Sequence, residues 1–537
     1  MKLNENALKD TKTWEKAGFK LPKFNRMLVK ENTIANPNWI HFGAGNIFRA
    51  FTANLQQNIL NSGKSDKGII VAEGYDYEII ESMYKTHDNL SLLVTLKADG
   101  NIDKTVVASI VEALIVDSSN KANWARLKEI FINPSLQMVS FTITEKGYNL
   151  NNPKGEYLTS VAEDFKNGPK APVSYIGKLT SLVYARYLNG RTPLALVSMD
   201  NCSHNGTKLY KAVSTFAKKW VENGVADKGF EIYINNPDFV SFPWSMIDKI
   251  TPRPDESVKK MLLKAGFEDV EDIVTTKNTY VAPFVNSEEP QYLVIEDIFP
   301  NGRPNLEEGG VIFASRETVD KVEKMKVCTC LNPLHTALAI YGCLLGYKMI
   351  YKEMEDPDLK TLVEKIGYVE GLPVVVDPGI INPKDFIDEV LKVRIPNPFM
   401  PDTPQRIATD TSQKLAIRYG ETIKAYIERE DLNVSNLKLI PLVLAGWCRY
   451  LMGIDDKGNK MDISSDPLLC EVTPYVAGIT LGDKGPFNLQ LKPILLNTSI
   501  FGVNLYETLL GEKVENYFAE LVSGIGAVRK TLKKYIV

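Results

Sequence analysis

The stretch of residues 323–335, EKMKVCTCLNPLH, brings together three side chains that handle protons and oxygen atoms. Lys326 can supply a proton, Asn332 can donate a neutral hydrogen bond, and His335 can donate or accept one. Beside a carbonyl group, these side chains could stabilise the negative charge that develops on its oxygen during reduction. The stretch therefore predicts acid–base chemistry, although short patterns of this kind more often mark a helix cap, a surface lysine and a buried histidine.

The residues around this stretch predict two helices. Pro333 favours the first position of a helix, and Asn332 favours the capping position before it. The apolar run 334–350 has the pattern of a buried helix, and residues 317–330 also have a helical pattern. We therefore expect one helix to end and another to begin close to Asn332.

The two helices must be interrupted if the site is to form. On one unbroken helix Lys326 and His335 would lie on opposite sides, at about 100° per residue. Asn332 and His335, three positions apart, share a face in either case. We predict a break or widened turn at residues 327–331, which lets the lysine and the histidine face one cavity.

A zinc site is an alternative for the same stretch. Cys328, Cys330 and His335 could bind zinc with Cys202 or His204 as a fourth ligand. Their spacing matches none of the recognised zinc patterns, so a site without metal is preferred. The chain has six cysteines, too few and too irregularly spaced for a disulfide framework, and we expect reduced thiols.

A glycine turn near the N-terminus predicts a dinucleotide site. The apolar run WIHF leads directly into GAGNIFRAF, the order of strand, turn and helix that opens a Rossmann unit. Gly43 allows the tight turn and Gly45 the close approach of a pyrophosphate to the helix N-terminus. Phe48 replaces the usual third glycine. We expect Asn46, Phe48 and Arg49 to line the cofactor together with the two glycines.

The next strand supplies an acid at its carboxyl end. Glu73 follows a Val/Ile-rich run and could accept hydrogen bonds from the adenosine ribose while repelling a 2′-phosphate. An acid at this place favours NAD over NADP, and Asp76 is the second candidate for the same role. The alternative interpretation of Glu73 is a solvated residue at a strand end. Later strands end at TITEKGY, which carries Thr144, and at SMDN, which carries Asn201. Ligand contacts are expected at these ends, although Asn201 could also be a simple turn residue.

The 537 residues are too many for one core and predict two domains. Strand-like runs dominate the first part and helical patterns the second, so we expect an α/β Rossmann-type domain at residues 1–312 and a mainly α-helical domain at residues 313–537. With 44% hydrophobic residues and a net charge of -3, the chain is typical of a soluble globular protein, and nothing in its composition favours binding to nucleic acid or an anionic membrane. Its polar N-terminus and the absence of a sufficiently long apolar run indicate the cytoplasm.

In the second half, the sequence MPDTPQRIATDTSQK predicts a capped helix. Asp402 or Thr403 would cap it, and Arg406, Asp410 and Lys414 would then recur every four residues on one face. An exposed ladder of ion pairs is the default interpretation. The alternative is that the two cations face a polyhydroxylated or anionic substrate.

Three further elements complete the prediction. A helix is expected at residues 208–223, and a bend carrying Asp248 within VSFPWSMIDKITPRP. Residues 513–536 have the pattern of one amphipathic helix with basic residues toward its end, as the helix dipole favours.

Seven motifs in order resemble one family over nearly the whole chain: GAGNIFRAF, TEKGY, SMDNCSHNG, SFPWSMIDKITP, VIEDIFPNGRP, LNPLHTALA and RIATDTSQK. They are similar to the polyol-specific long-chain dehydrogenase/reductase family, which includes mannitol, fructuronate and tagaturonate enzymes. The resemblance implies a Rossmann-type domain, a mainly helical domain, an active site between them and metal-independent catalysis by a lysine.

The resemblance also implies roles for individual residues. Lys326 matches the catalytic lysine, Glu323 an acid associated with proton passage, and Asn201 and Asn332 the asparagines that hold the reacting oxygen. The remaining matches are substrate contacts: His335, Asp248, Arg406 and Lys414. The family spacing from lysine to asparagine is one residue shorter than here, so the predicted break must absorb an extra residue.

The implied activity is NAD-dependent interconversion of D-fructuronate and D-mannonate. Arg406, Lys414 and Arg394 would be available for the substrate carboxylate. The alternatives are tagaturonate/altronate or mannitol/fructose as substrates, a zinc-dependent dehydrogenase, and a protein that senses NADH without turnover. Oxidation needs the neutral amine of the lysine and should therefore be favoured at alkaline pH. The sequence does not predict an oligomeric state.

Overall fold

The computed structural model describes residues 1–254 and 256–537, which form two compact units. The first unit comprises Met1–Leu96 and Asn101–Asp320, and the second comprises Lys97–Gly100 and Lys321–Val537. The division therefore falls after residue 320, whereas the sequence placed it at residue 312.

The strand Ile312–Ala314 explains this difference. It pairs in parallel with the strand Tyr292–Glu296, with Val294 opposite Ile312. This ladder of backbone hydrogen bonds holds residues 312–314 in the first unit, although the composition changes close to them.

Six parallel strands form the central sheet of the first unit: β1 Trp39–Phe42, β2 Ile69–Glu73, β3 Ile110–Ile115, β4 Met138–Phe141, β5 Leu194–Ser198 and β6 Val240–Ser241. Their order across the sheet is β3-β2-β1-β4-β5-β6, and each neighbouring pair is parallel. This order is that of a dinucleotide-binding Rossmann fold. The predicted fold of the N-terminal domain is confirmed.

Helices cover both faces of this sheet, which is why its strands are apolar along most of their length. In β1, Ile40 and Phe42 belong to one hydrophobic core and Trp39 to the other. The longer helices of this unit are Arg26–Ala35, Ala53–Asn61, Lys121–Ile132, Thr159–Asn167, Tyr175–Leu188, Asn205–Glu222, Lys228–Asn235 and Glu256–Lys264. The helix predicted at 208–223 is thus confirmed and begins slightly earlier.

Three smaller sheets complete the first unit. Their strands are Phe19–Lys20, Ile102–Val107, Ser91–Leu96 and Phe284–Glu288; Ser245–Asp248, Tyr292–Glu296 and Ile312–Ala314; and Ile273–Val274 with Tyr280–Val281. The bend predicted around Asp248 was wrong. Residues 245–248 are a strand because they pair antiparallel with residues 292–295, and Asp248 is buried at its end.

The second unit is helical, as predicted. Its longer helices are Asn332–Leu345, Pro357–Lys365, Pro383–Glu389, Glu421–Glu428, Leu439–Tyr450, Leu469–Val476, Asn488–Leu495, Gly511–Leu521 and Ala527–Tyr535. The buried helix predicted at 334–350 ends at Leu345, because Gly346 adopts a left-handed conformation with φ 82°.

The single helix predicted at 513–536 was wrong. Two helices, Gly511–Leu521 and Ala527–Tyr535, are separated by a turn in which Gly524 and Gly526 have positive φ angles. Glycine adopts this conformation without steric cost, so the chain turns here despite the continuous amphipathic pattern.

Wide π-helical turns interrupt several helices. The first unit has them at Phe48–Thr52 and Ile80–Tyr84, and the second at Met325–Cys330, Ile366–Gly371, Val390–Arg394 and Ala416–Gly420. Such turns are rare in proteins and are frequent at functional sites.

In the described part of the chain, one helical segment, Arg316–Leu345, is long and apolar enough to cross a membrane by length and composition. No apolar run of this length is expected from the sequence. Its most apolar stretch is 78% buried inside the protein, as in the core helix of a globular protein.

Candidate active site

The glycine turn after β1 is closed by tight backbone packing. Gly43 has φ 114°, and a Cβ atom there would lie 2.6 Å from the carbonyl oxygen of Thr142. The Gly43 N–H donates to the carbonyl of Ala72 at 2.9 Å. A side chain at position 43 would therefore clash with the neighbouring strand end, which explains the first glycine of the motif.

The second glycine faces open space. A Cβ atom on Gly45 would meet no atom within 4 Å. The helix begins at Asn46, and among the described residues the N–H groups of Asn46, Ile47 and Phe48 have no backbone acceptor. Free N–H groups and open space at a helix N-terminus suit the pyrophosphate of a dinucleotide, so the residues present fit this cofactor.

The carboxylate of Glu73 anchors the glycine turn through hydrogen bonds from backbone N–H groups. It accepts the N–H groups of Ala44 at 2.8 Å, Tyr75 at 2.8 Å and Asp76 at 3.1 Å. Burial raises the pKa of Glu73, and these three backbone hydrogen bonds oppose that effect. The sequence predicted a contact with ribose but not this anchoring role, which ties the end of β2 to the turn.

The second candidate acid has a partner as well. Asp76 is buried and accepts a hydrogen bond from the hydroxyl of Thr275 at 2.6 Å. Both acids therefore lie at the carboxyl edge of β2 within a network that fixes the loop. Their contact with ribose stays a prediction.

Two residues expected to line the cofactor point into the core instead. Phe48 is fully buried and stacks on His41, with ring centroids 4.4 Å apart. Arg49 is also buried and donates to Ser91 Oγ at 3.0 Å and to the carbonyls of Ala282 and Pro283 at 2.7 and 2.9 Å. Their side chains pack and position the turn, and Phe48 presents its N–H group to the open space.

The strand ends of β4 and β5 carry the other first-unit candidates. Thr144 is exposed just before the short helix Glu145–Tyr148, and Asn201 is exposed in the loop after β5. Asp200 fixes this loop: it accepts the N–H of Cys202 at 2.9 Å and a short hydrogen bond from the Tyr148 hydroxyl. Both candidates thus lie at the carboxyl edge of the Rossmann sheet, where ligands bind.

In the second unit the predicted break is confirmed. The helix Arg316–Lys324 continues as the π-helical turn Met325–Cys330, in which the Leu331 N–H donates to the carbonyl of Lys326 at 3.1 Å. A hydrogen bond to the fifth residue back accommodates one more residue per turn than an α-helix does. The turn can therefore absorb the extra residue between Lys326 and Asn332. Glu323 lies on the helix just before it and is partly buried.

Asn332 does not cap the next helix as predicted. It is the first helical residue, Leu331 precedes it with φ -128°, and its side chain makes no capping hydrogen bond. The His335 N–H donates to the carbonyl of Leu331 at 3.1 Å, so the helix begins one residue earlier than predicted and Leu331 takes the capping position. The carbonyl of Asn332 accepts the Thr336 hydroxyl at 2.9 Å, and its carboxamide makes no hydrogen bond within residues 1–254 and 256–537.

His335 lies beside an acid that the sequence suggested only as a cap. Its Nε2 atom is 3.6 Å from Oδ2 of Asp402. Burial lowers the pKa of His335 to about 4, and Arg418, Arg406 and Arg394 lower it further while Asp402 raises it. The imidazole is therefore neutral near pH 7 and acts as a hydrogen-bonding group rather than a cation.

The predicted ladder of Arg406, Asp410 and Lys414 was wrong. Thr403 caps a short helix, Pro404–Ile407, after which Asp410 adopts a left-handed conformation with φ 53°. Lys414 therefore does not follow on the same helical face, and its ammonium group donates to the carbonyl of Thr409. Arg406 forms a short ion pair with Asp402.

One cation near His335 was not predicted from the sequence to be a site residue. Arg418 lies on the π-helical turn Ala416–Gly420 and donates to the hydroxyl of Thr336, the residue after His335. Its signal in the sequence was weak, since it falls four residues after Lys414 within a helical pattern, where an arginine is ordinary.

The cysteines near the π-helical turn do not form a metal site with His335. Cys330 is buried, its thiol contacts the carbonyl of Pro383 at 3.9 Å, and burial raises its pKa. Among residues 1–254 and 256–537, no group of three or more His, Cys, Asp or Glu side chains is placed to hold a metal ion. The zinc-dependent alternative therefore lacks a ligand set in the described residues.

Two family models match the chain in sequence. Residues 37–308 match the mannitol dehydrogenase Rossmann domain, and residues 318–516 match the mannitol dehydrogenase C-terminal domain. The chain is also 56% identical to the D-mannonate oxidoreductase of Thermotoga maritima, a similarity that covers 100% of this chain and 99% of the relative.

Solved structures agree with these matches. The Pseudomonas fluorescens mannitol 2-dehydrogenase in its ternary complex with NAD and D-mannitol has a TM-score of 0.69, 25% identity and 99% coverage of both chains. A substrate-free D-sorbitol dehydrogenase has the same fold, with a TM-score of 0.79, 24% identity and coverage of 98% of this chain and 100% of that one. The chain therefore belongs to the mannitol dehydrogenase family of oxidoreductases.

Proposed function

We propose that the protein is an NAD-dependent oxidoreductase that interconverts D-fructuronate and D-mannonate. The observation that carries this proposal is the 56% identity, over the full chain, to the T. maritima D-mannonate oxidoreductase. The Rossmann unit and the cluster of cations around His335 are consistent with a dinucleotide and an anionic sugar as the two reactants.

The glycine turn would hold NAD, which supplies or accepts the hydride. Gly43 and Gly45 keep the backbone clear for the pyrophosphate, and the N–H groups that begin the following helix would bind it. Glu73 and Asp76 place negative charge at the carboxyl end of β2, which disfavours the additional phosphate of NADP. The relative from P. fluorescens also binds NAD.

Lys326 is proposed as the general acid for reduction. Its ammonium group would donate a proton to the carbonyl oxygen as the hydride arrives, and Asn201 and Asn332 would donate hydrogen bonds to the same oxygen. Glu323, three residues before Lys326, would pass protons to and from the lysine. In oxidation the neutral amine would accept the hydroxyl proton, so alkaline pH favours that direction.

The remaining candidates would hold the substrate chain. Neutral His335 can donate to or accept from a substrate hydroxyl, and Asp248 can accept from another. Arg406 and Lys414 supply cations on the side of the helical unit that carries His335. We also propose that the enzyme acts in the cytoplasm, as its six cysteines, none of them in a disulfide, suggest.

Purified protein tests the proposal most directly. Loss of NADH absorbance would be followed with D-fructuronate, D-tagaturonate and D-fructose, with NADPH in a parallel series. We expect D-fructuronate with NADH to give the highest kcat/KM. Preference for tagaturonate or fructose would favour the corresponding alternative, and no turnover of any of the three would contradict the proposed function.

A further inference from the structure

We propose that Arg418 is the specificity-determining residue that binds the substrate carboxylate and selects a hexuronate over a neutral ketose. This inference rests on the proposed function and names the part of the site that recognises the acid group. Arg418 was not among the residues that the sequence suggested for this role.

Two of the three cations first expected to bind the carboxylate, Arg406 and Lys414, already have partners in the helical unit. Arg406 forms an ion pair with Asp402, and its side chain is 61% exposed. Lys414 donates to the carbonyl oxygen of Thr409. A substrate carboxylate at Arg406 would have to share the guanidinium with Asp402. The ammonium group of Lys414 has N–H donors left besides the one to Thr409, but it lacks the planar pair of donors with which a guanidinium binds a carboxylate.

Arg418 is different. Its single hydrogen-bond partner in the described residues is the hydroxyl of Thr336, and no carboxylate there pairs with it. Burial lowers its pKa to about 10. A partly buried guanidinium with one neutral partner has several N–H donors left, and a carboxylate fits them better than water or a hydroxyl does.

Two neighbouring residues hold this guanidinium beside the proposed catalytic helix. The Tyr419 hydroxyl donates to the carbonyl of Pro333 at 2.6 Å, while Arg418 itself donates to Thr336. Gly420 lets the turn pack closely, since a Cβ atom there would lie 2.2 Å from the carbonyl oxygen of Phe501. The guanidinium is thereby fixed next to the turn of helix that carries Asn332 and His335.

The surrounding charge also favours an anion. The charges that act on His335 include three arginines, 394, 406 and 418, and one carboxylate, Asp402. Lys414 adds a further cation, whose pKa is lowered by burial and by Arg418. Because Asp402 is paired with Arg406, it is not available to Arg418, whose charge a hexuronate carboxylate would neutralise and a ketose would not.

The test compares Arg418→Gln with wild type on matched ligands. The measurements are kcat and KM for D-fructuronate with NADH, and the inhibition constants of D-mannonate and D-mannitol. These two ligands differ only in that D-mannonate has a carboxylate where D-mannitol has a hydroxymethyl group. We expect Arg418→Gln to lower kcat/KM for D-fructuronate by about 10- to 100-fold, mainly through KM. Binding of D-mannonate should weaken by a similar factor, and binding of D-mannitol should change less than about threefold.

Two further variants serve as controls. Lys424→Gln removes an exposed cation from the next helix, and it should match wild type with both ligands. Arg418→Lys keeps the charge but loses the paired donors, and it should retain part of the preference for D-mannonate. Thermal unfolding of each variant identifies any that fail to fold. If Arg418→Gln does not fold, Arg418→Lys is compared with wild type in its place.

The outcomes separate this inference from the proposed function. Suppose that wild type reduces D-fructuronate, and that Arg418→Gln weakens the binding of D-mannonate and D-mannitol equally or changes the binding of neither. The carboxylate assignment is then overturned, and the proposed function stands. If wild type reduces no hexuronate, the proposed function fails first. Selective loss of the acid ligand supports the assignment.

Discussion

Each unit of the protein carries a π-helical turn at its candidate site, and the two turns differ in what their side chains do. In Phe48–Thr52, after the glycine turn, all five residues are buried. In Met325–Cys330, Lys326, Val327 and Cys328 are only partly buried. The first turn therefore shapes a backbone surface, whereas the second presents side chains.

This difference follows from what each ligand group needs. A pyrophosphate is bound by N–H groups and open space, so buried side chains such as Phe48 and Arg49 serve by fixing the backbone. A reacting carbonyl needs a proton donor, which only a side chain such as Lys326 can supply. Under the proposed function, the same irregular helix geometry would serve cofactor binding in one unit and proton transfer in the other.

The largest effect should come from the second turn. We expect Lys326→Ala to lower kcat for D-fructuronate reduction by about 1000-fold, the usual scale for removing a general acid. The measurement is steady-state NADH oxidation. Lys324→Ala, an exposed lysine on the preceding helix, is the matched control and should stay within about threefold of wild type. Nearly full activity in Lys326→Ala would reject the proposed chemistry.

A substitution in the buried turn Phe48–Thr52 should lower the free energy of unfolding. Replacing Arg49 by methionine removes the donor to Ser91 Oγ and to the carbonyl of Ala282, and leaves the carbonyl of Pro283 with only the Leu92 N–H. The free energy of unfolding in urea should therefore fall by about 3 kcal/mol. Lys85→Met, which removes an exposed cation of the same unit, should change stability by less than about 0.5 kcal/mol. Equal stability of the two variants would contradict a structural role for Arg49.

Backbone access in the first unit can be tested without loss of stability. A methyl group at Gly45 would enter open space, so Gly45→Ala should fold like wild type while binding NADH about tenfold more weakly. Fluorescence titration of NADH gives the affinity. Gly478→Ala, where a Cβ atom also meets nothing within 4 Å, should bind NADH normally. Unchanged affinity in Gly45→Ala would place the pyrophosphate elsewhere.

The smallest effect on stability near neutral pH is expected from two histidines near the turns, His41, which is buried, and His335, which is partly buried. Burial lowers the pKa of His41 to about 3 and that of His335 to about 4. In the unfolded chain the imidazoles of these two histidines bind protons near pH 6.5. The contribution of the two neutral imidazoles to folding stability is therefore complete above that pH and is lost as the pH falls toward 4. Imidazole NMR signals should therefore stay those of neutral rings from pH 8 to pH 5. Protonation of His335 near pH 6.5 would contradict this environment.

Local patterns were enough to predict much of the fold. The Rossmann strands, the glycine turn at Gly43, the helical second unit and the interruption before Asn332 all depend on residues close together in the chain. Predictions failed where neighbours in space overrode a local pattern, as at Asp248, which pairing with residues 292–295 draws into a strand. They also failed at Asp410, where the continuous helical spacing ends in a left-handed residue.

The order of residues sets which chemical groups the protein contains and which backbone conformations carry them, because glycine, proline and apolar spacing act over a few residues. Which of those groups are already paired depends on the folded chain. Glu73 is held by the glycine turn, Arg406 by Asp402, and Arg418 by no carboxylate among the described residues. Pairing depends on distances between side chains that packing brings together, and such distances have no counterpart in sequence spacing.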